Sequence, residues 1–346
     1  MRAAVLEGQG VLAIRELPDP VPGDGDVLLR VHASAVCGSD IHRFVRGHRE
    51  YPIVLGHEAA GVITAAGRDV DPSLVGRRAA LVPLIPDHTC DQCLAGRFSA
   101  CRAYTFVGSR RPGAFAERVA VPAANVLPVP DSLAPDLAAL IEPATVGRHL
   151  LDLGGFVAGQ SAVVLGAGSI GLMVVQWLRV LGASTIVASD ITDANLDAAR
   201  ELGAQVVVNP SRSSIADEVR RHLGAGADLT VEASGSPAAL ASVVEVTRPR
   251  GAVVLGGNQP PEASLPMAFV EALMRRELSL TGGFMSYSAP WPGHEWTESL
   301  AAAIDGGLDL AAMISHRAPL TEAPALFEAA AARHLAHRKI VLDPRS

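Results

Sequence analysis

Positive charge never gathers in this chain. Its 29 lysines and arginines are outnumbered by 36 acidic residues, for a net charge of −7, and no Lys/Arg run stands out. Nucleic acid and anionic membranes are bound through clustered cations, so both are excluded as main partners. No apolar stretch approaches the roughly 20 residues of a membrane-spanning helix. The opening MRAAVLEGQG reads straight into a strand, without the apolar core of a secretory signal. Cysteine is scarce as well: there are 4 in 346 residues, and Cys90, Cys93 and Cys101 are bunched. That suits metal thiolates in a reducing compartment better than a disulfide framework, and a cytoplasmic location is the expectation. Internal repeats and low-complexity linkers are missing too. What remains, 49% hydrophobic and 19% charged, is the composition of a globular protein with a filled core, long enough for two domains.

The most organised stretch is 161–190, SAVVLGAGSIGLMVVQWLRVLGASTIVASD. An apolar run at 162–165 predicts a strand, which turns through Gly166, Gly168 and Gly171 in the spacing Gly-x-Gly-x-x-Gly. Apolar residues then recur at helical intervals (Ile170, Val174, Trp177, Leu178, Leu181), and a second β-branched run ends in Asp190. Such a βαβ unit holds a dinucleotide. Gly166 permits the tight turn, Gly168 admits a pyrophosphate, Gly171 lets helix and strand pack, and the helix start at Ser169 and Ile170 turns its N–H groups toward a phosphate. Asp190 would accept both ribose hydroxyls of an adenosine and would repel a 2′-phosphate, with no cation among Ile191, Thr192 and Asp193, so NAD is expected over NADP. A lone Gly-x-Gly-x-x-Gly is often only a loop; here strand, helix, second strand and acid all fall in place. Further strands are expected at 206–208, 229–232, 252–255 and 278–281, with helices at 192–202, 213–222 and 236–246. Six strands alternating with helices give an α/β doubly wound parallel sheet.

Residues 1–85 are instead short β-type runs (3–6, 27–31, 59–65, 79–84) broken by Pro and Gly, which predicts an antiparallel region. Metal-type residues sit in its loops: Cys37-Gly-Ser-Asp-Ile-His42, then His57-Glu58, and far downstream Glu142-Pro143. Each has an ordinary reading, as a small core residue, a surface pair or a helix start. A Cys, a His and one or two carboxylates from separated loops are also what a catalytic zinc uses, because three protein ligands leave a position open for substrate.

The order CGSDxH, GHE, a cysteine-rich lobe, EP and VVLGAGSIGL resembles the zinc-dependent medium-chain dehydrogenase/reductase family, the group of alcohol, sorbitol and threonine dehydrogenases, over the full length. YPIVLGHEAAG, VPLIPDHTCDQC, FVGSRRPGAFAE and GGFMSYSAPWPGHEW resemble more narrowly its polyol-phosphate dehydrogenases, of which galactitol-1-phosphate 5-dehydrogenase is one. The resemblance implies a Rossmann sheet (146–285) inserted in a mainly β, GroES-like catalytic domain (1–145 and 286–346), with the active site in the cleft between them. Cys37, His57 and Glu142 would bind the catalytic zinc, with Glu58 a fourth or exchanging ligand. Ser39 would pass on the substrate proton, His42 would carry it to solvent, and Asp40 would hydrogen-bond the ligating imidazole. Related lobes carry four cysteines for a structural zinc. Here Asp87 stands in the first place beside Cys90, Cys93 and Cys101, and the reading favours a zinc over a metal-free loop.

The expected reaction is the reversible, NAD-linked oxidation of a secondary alcohol on a polyol or polyol phosphate. A phosphate would find Ser109-Arg110-Arg111, or Arg148, although two adjacent arginines are as readily an exposed basic turn or a subunit contact. Free polyols, aminocyclitols and amino-alcohols such as threonine are the alternative substrates. A zinc-free reductase would lack the Cys, His and Glu set, and nothing points to a non-enzymatic NAD sensor. Related enzymes form homodimers or homotetramers, so a homo-oligomer is expected.

Overall fold

A computed structural model describes residues 1–260, 263–332, 334–335 and 337–346. The chain divides into two compact units: Met1–Glu142 with Tyr287–Ile304 and Leu310–Ser346, and Pro143–Ser286 with Asp305–Asp309.

The first unit is built on a seven-stranded sheet. Its strands run in the order Val126–Pro128, Arg78–Leu81, Glu58–Ala66, Asp26–Ala35, Lys339–Asp343 and Ile314–Pro319, with Arg118–Pro122 also paired to Asp26–Ala35. All pairs are antiparallel except the last, Lys339–Asp343 with Ile314–Pro319. Alternation drives it: along Asp26–Ala35 the residues Val27, Leu29 and Val31 point into a core shared with Ile63, Leu81 and Val121. A second core gathers Leu6, Phe44, Leu55, Phe115 and Phe327 under the small sheet formed by Arg2–Gly8, Val11–Glu16 and Ile53–Val54. The register decides what the site contains. Ala35 pairs with Glu58 on one side and Val341 on the other, so the loop holding Cys37, the start of the GHE strand and Lys339 meet at one sheet end. The single run expected at 79–84 is two strands, Arg78–Leu81 and Leu84–Ile85. Buried Asn125 divides them by donating to the carbonyls of Val82 (2.7 Å) and Leu84.

The second unit is the doubly wound sheet expected, in the order Val206–Val208, Thr185–Ser189, Ser161–Leu165, Ala227–Glu232, Thr247–Leu255, Ser279–Gly282, parallel throughout. Its central strands are apolar on both faces because helices cover both: Ala162, Val163, Val164 and Leu165 are all buried. The strand order reverses between Ser161–Leu165 and Ala227–Glu232, the switch point at whose C-terminal edge such folds bind ligands. The helix expected from 192 spans Asp193–Leu202; Thr192 is its N-cap, but its side chain makes no capping bond. Among the described residues no helix is long and apolar enough to cross a membrane.

Candidate catalytic metal centre and dinucleotide site

Cys37, His57 and Glu58 each offer a ligand atom, and these atoms lie within 4.8 Å of one another. Cys37 precedes the helix Gly38–Arg46, and its N–H donates to Oδ2 of Asp40 at 3.1 Å. Asp40 is wholly buried, and its Oδ1 lies 3.5 Å from Arg43 and 3.6 Å from His57 Nδ1. The last distance exceeds a hydrogen bond, so Asp40 and His57 attract as charges rather than through the expected hydrogen bond. Burial alone would pull the His57 pKa down, but Asp40 and Cys37 outweigh it and hold the imidazole well above its ordinary value. Burial likewise works against the Asp40 carboxylate, whose pKa His57 and Arg43 nonetheless keep low. A buried imidazole whose pKa is raised in spite of its burial sits in surroundings that favour positive charge. Together with a thiolate, an imidazole and a carboxylate as donors, this is what fits zinc.

Two buried residues outside the metal-type motifs, Lys339 and Tyr287, border this group. Lys339, 1% exposed, puts Nζ 2.5 and 2.6 Å from the two Glu58 oxygens and 3.4 Å from the carbonyl of Val36. The Lys339 pKa is raised, since Glu58 and Cys37 overcome its desolvation. The signal in the sequence was a lysine opening the apolar run KIVL, where a buried charge needs a partner. Tyr287, also buried, accepts the N–H of Leu84 at 3.3 Å. Glu142, at the start of the helix Ile141–Leu153, stands outside the tightest group of three but within the field of His57, Glu58, Lys339 and Asp40. Burial first, then its anionic neighbours, push its carboxyl up to about 7. Ser39 and His42 share the helix that follows Cys37. Ser39 Oγ accepts from Arg43 at 2.8 Å and so keeps its own proton to donate; His42 is exposed, and partial burial with Arg46 and Arg43 holds its pKa below the usual value.

In the lobe, Asp87, Cys90, Cys93 and Cys101 converge within 4.8 Å. Cys90 and Cys101 sulfurs are 4.0 Å apart, close to the ~3.8 Å edge of a tetrahedron with zinc–sulfur bonds of about 2.3 Å. Asp87 Oδ1 accepts the N–H groups of Cys90 and Thr89, each at 2.9 Å, and those bonds hold its carboxyl far below the usual range. Burial pushes the Cys93 thiol up, whereas the N–H groups of Arg102 and Cys93 bring Cys90 down.

The glycine turn follows the strand Ser161–Leu165 and opens the helix Ser169–Val180. Gly166 has φ +96°, and a Cβ on Gly171 would sit 1.7 Å from the Gly166 carbonyl oxygen, so neither position admits a side chain. Beside Gly168 there is open space. Asp190 braces the turn: Oδ2 accepts the N–H of Ala167 at 2.9 Å and Oδ1 that of Thr192 at 2.8 Å.

The arginines form no joint fork. Arg110 donates to the carbonyl of Tyr104 at 2.5 Å with its guanidinium 3.8 Å above the Tyr104 ring, whereas Arg111 reaches the carbonyl of Ala120 at 2.8 Å. Ser109 is half-buried, its N–H on the carbonyl of Phe106. Arg148 is paired with Asp152 one helical turn on.

A doubly wound sheet with such a turn, joined in one chain to a β unit that gathers a half-buried cysteine with a buried imidazole and buried carboxylates, defines a metal-dependent, dinucleotide-linked dehydrogenase. Residues 23–131 match the alcohol dehydrogenase GroES-like domain and residues 169–304 the zinc-binding dehydrogenase domain. Galactitol 1-phosphate 5-dehydrogenase of Escherichia coli (strain K12) is 35% identical over 325 residues, 92% of each chain. Sorbitol dehydrogenase of Bacillus subtilis (strain 168) is 33% identical over 311 residues, 88% of this chain and 87% of the other. The crystal structure of galactitol-1-phosphate dehydrogenase from Escherichia coli superposes with a TM-score of 0.94 at 34% identity, covering 99% of this chain and 100% of that one. The chain belongs to the zinc-dependent medium-chain dehydrogenase/reductase family, as an alcohol dehydrogenase of the polyol type with NAD and zinc as cofactors.

Proposed function

We propose that this enzyme interconverts a secondary alcohol of a polyol phosphate and the corresponding ketone with NAD, in the cytoplasm and as a homo-oligomer. The observation that carries the chemistry is the Cys37–His57–Glu58 group, half-buried at Cys37 and buried at the other two, with Asp40 behind the imidazole and Lys339 behind the carboxylate. Cys37, His57 and a carboxylate from Glu142 or Glu58 would hold the catalytic zinc, and Asp87, Cys90, Cys93 and Cys101 a structural one. Zinc so held supplies a Lewis acid that makes a substrate hydroxyl acidic enough to lose its proton. Ser39 takes that proton onward, and His42, exposed and neutral at pH 7, releases it to water. Asp40 keeps the imidazole oriented. The N–H groups at Ser169 and Ile170 receive the pyrophosphate over Gly168, and Asp190 receives the ribose.

The phosphate on the substrate is supported by the 35% identity to a dehydrogenase of galactitol 1-phosphate. A free polyol is the second reading, favoured by the sorbitol dehydrogenase relative and by Arg110 and Arg111 being engaged with the carbonyls of Tyr104 and Ala120. A screen of phosphorylated and free polyols with NAD decides, read as kcat/KM for phosphorylated over free substrate in wild type, Arg110→Ala, Arg111→Ala and Arg148→Ala. Wild type should prefer the phosphorylated polyol. One arginine variant should lose roughly ten- to a hundredfold of that preference, the worth of a charge-assisted hydrogen bond. Wild-type preference for the free polyol, or a ratio unmoved by all three variants, would replace the first reading with the second.

A further inference from the structure

The loop that carries Asp190 has a second carboxylate, and that one is occupied by a cation the local sequence does not supply. Asp193 Oδ2 holds Nη2 of Arg212 at 2.6 Å. Arg212 comes from the turn after the neighbouring strand Val206–Val208, and buried Asn209 fixes that turn against the Asp190 loop. Asn209 Nδ2 donates to the carbonyl of Ile191 and to Asp193 Oδ1, each at 3.1 Å. Its Oδ1 accepts the N–H of Ser211 at 3.0 Å, and its carbonyl accepts the N–H groups of Arg212 (2.9 Å) and Ser213 (3.1 Å). The Asp190 N–H in turn donates to the carbonyl of Val208 at 3.2 Å. A guanidinium on an anchored backbone therefore borders the end of the sheet where an adenosine ribose would lie against Asp190.

We propose that Arg212 is a latent ligand for a cofactor 2′-phosphate, masked by Asp193. Preference for NAD then rests on two carboxylates, Asp190 and Asp193, and not on the lack of a cation. This rests on the reading of Asp190 as the ribose ligand. An exposed ion pair is ordinarily a solvated surface contact of little worth, and Arg212 and Asp193 are 70% and 54% exposed. That same weakness makes the pair exchangeable: a phosphate dianion accepts two parallel N–H bonds from a guanidinium and competes well for it once the neighbouring carboxylates are gone. Asn209 separates this pair from a casual surface contact, because its one amide ties both partners' loops together.

The test measures binding by calorimetry, without turnover, using adenosine 5′-monophosphate and adenosine 2′,5′-bisphosphate as probes. The proteins are wild type, Asp190→Ser, Asp190→Ser/Asp193→Asn, and the last with Arg212→Ala; kcat/KM for NAD and NADP is measured alongside. Asp190→Ser should weaken the monophosphate by about tenfold through loss of its ribose bonds. Adding Asp193→Asn should make the bisphosphate the tighter ligand. Adding Arg212→Ala should then weaken the bisphosphate by at least about tenfold and the monophosphate by less than about threefold, the signature of a charged contact to the 2′-phosphate alone. If Arg212→Ala weakens both probes equally, or neither, the assignment of Arg212 is wrong while that of Asp190 stands. An Asp190→Ser variant that binds the monophosphate like wild type overturns the ribose reading and the inference with it. Should the double variant fold poorly, Asp190→Ser with and without Arg212→Ala gives the same contrast at smaller amplitude.

Discussion

Lys339 shows what one residue contributes when the site around it is buried. Its ammonium and the Glu58 carboxylate are each 1% exposed, so neither charge has water to fall back on. Truncating one partner of such a pair leaves the other uncompensated, which costs about 3–5 kcal/mol, whereas removing both is far milder. Lys339→Met should accordingly lower unfolding stability by about that amount, and Lys339→Met/Glu58→Gln should recover most of the loss in a urea titration of the metal-free protein. If the double variant is as unstable as the single, Lys339 is holding the sheet end together by packing and not by charge. Residue types in separated loops were enough to single out Cys37, His57 and Glu58, whose ligand atoms the fold brings within 4.8 Å of one another. Lys339 escaped because its neighbour is set by pairing across the sheet, Val341 with Ala35 and Ala35 with Glu58, between segments some 280 positions apart. Arg212 escaped for the same reason, since its partner belongs to the loop after a different strand.

At the scale of elements, the second unit was legible nearly strand by strand, because a parallel sheet covered on both faces writes itself as uniform apolar runs between helical periods. The first unit was harder to parse. Its run at 79–84 reads as one strand, but Arg78–Leu81 joins the seven-stranded sheet and Leu84–Ile85 pairs with Thr105–Phe106, with Pro83 between them and Asn125 from elsewhere in the chain bonded to the carbonyls of Val82 and Leu84. Asp228 is a comparable non-local tie in the parallel sheet. Its carboxylate accepts the N–H and hydroxyl of Ser161 at 2.8 and 2.7 Å and the guanidinium of Arg248 at 2.6 Å, fastening three adjacent strands where they begin. Burial alone would raise the Asp228 pKa, but these donors outweigh it and depress it below the ordinary value. A depressed carboxylate pKa contributes stability that is present above the unfolded-state value and is lost as the pH falls through the folded one. Asp228→Asn should therefore cost about 2 kcal/mol at pH 7, and the gap to wild type should close as the pH is taken below about 4. Urea midpoints at the two pH values measure it; a gap that stays constant would mean the tie is a matter of shape and not of charge.

At the scale of the whole molecule, the two kinds of chemistry are kept in separate units. Cys37, His57, Glu58 and the lobe from Asp87 to Cys101 lie in the first, while Gly166, Gly168, Gly171 and Asp190 lie in the second. Each site draws its buried donors from its own unit, so loss of a metal ligand should leave the nucleotide fold intact. The prediction concerns Cys37→Ala. Metal analysis of wild type should approach two zinc per subunit and of the variant one, with turnover abolished, because the lobe's four candidate ligands, Asp87, Cys90, Cys93 and Cys101, are untouched by the substitution. NAD should still stabilise the variant. At a concentration of about one hundred times its dissociation constant, a ligand that binds only the folded state adds about 2.7 kcal/mol, and in a unit of this size that raises the midpoint of thermal unfolding by several degrees. Differential scanning with and without NAD reads this directly. A variant that lost the NAD-induced shift along with its zinc would show the two sites to be coupled. One that kept near-wild-type turnover would remove Cys37 from the metal centre, and a wild type holding a single zinc would leave the Asp87 lobe as a metal-free loop.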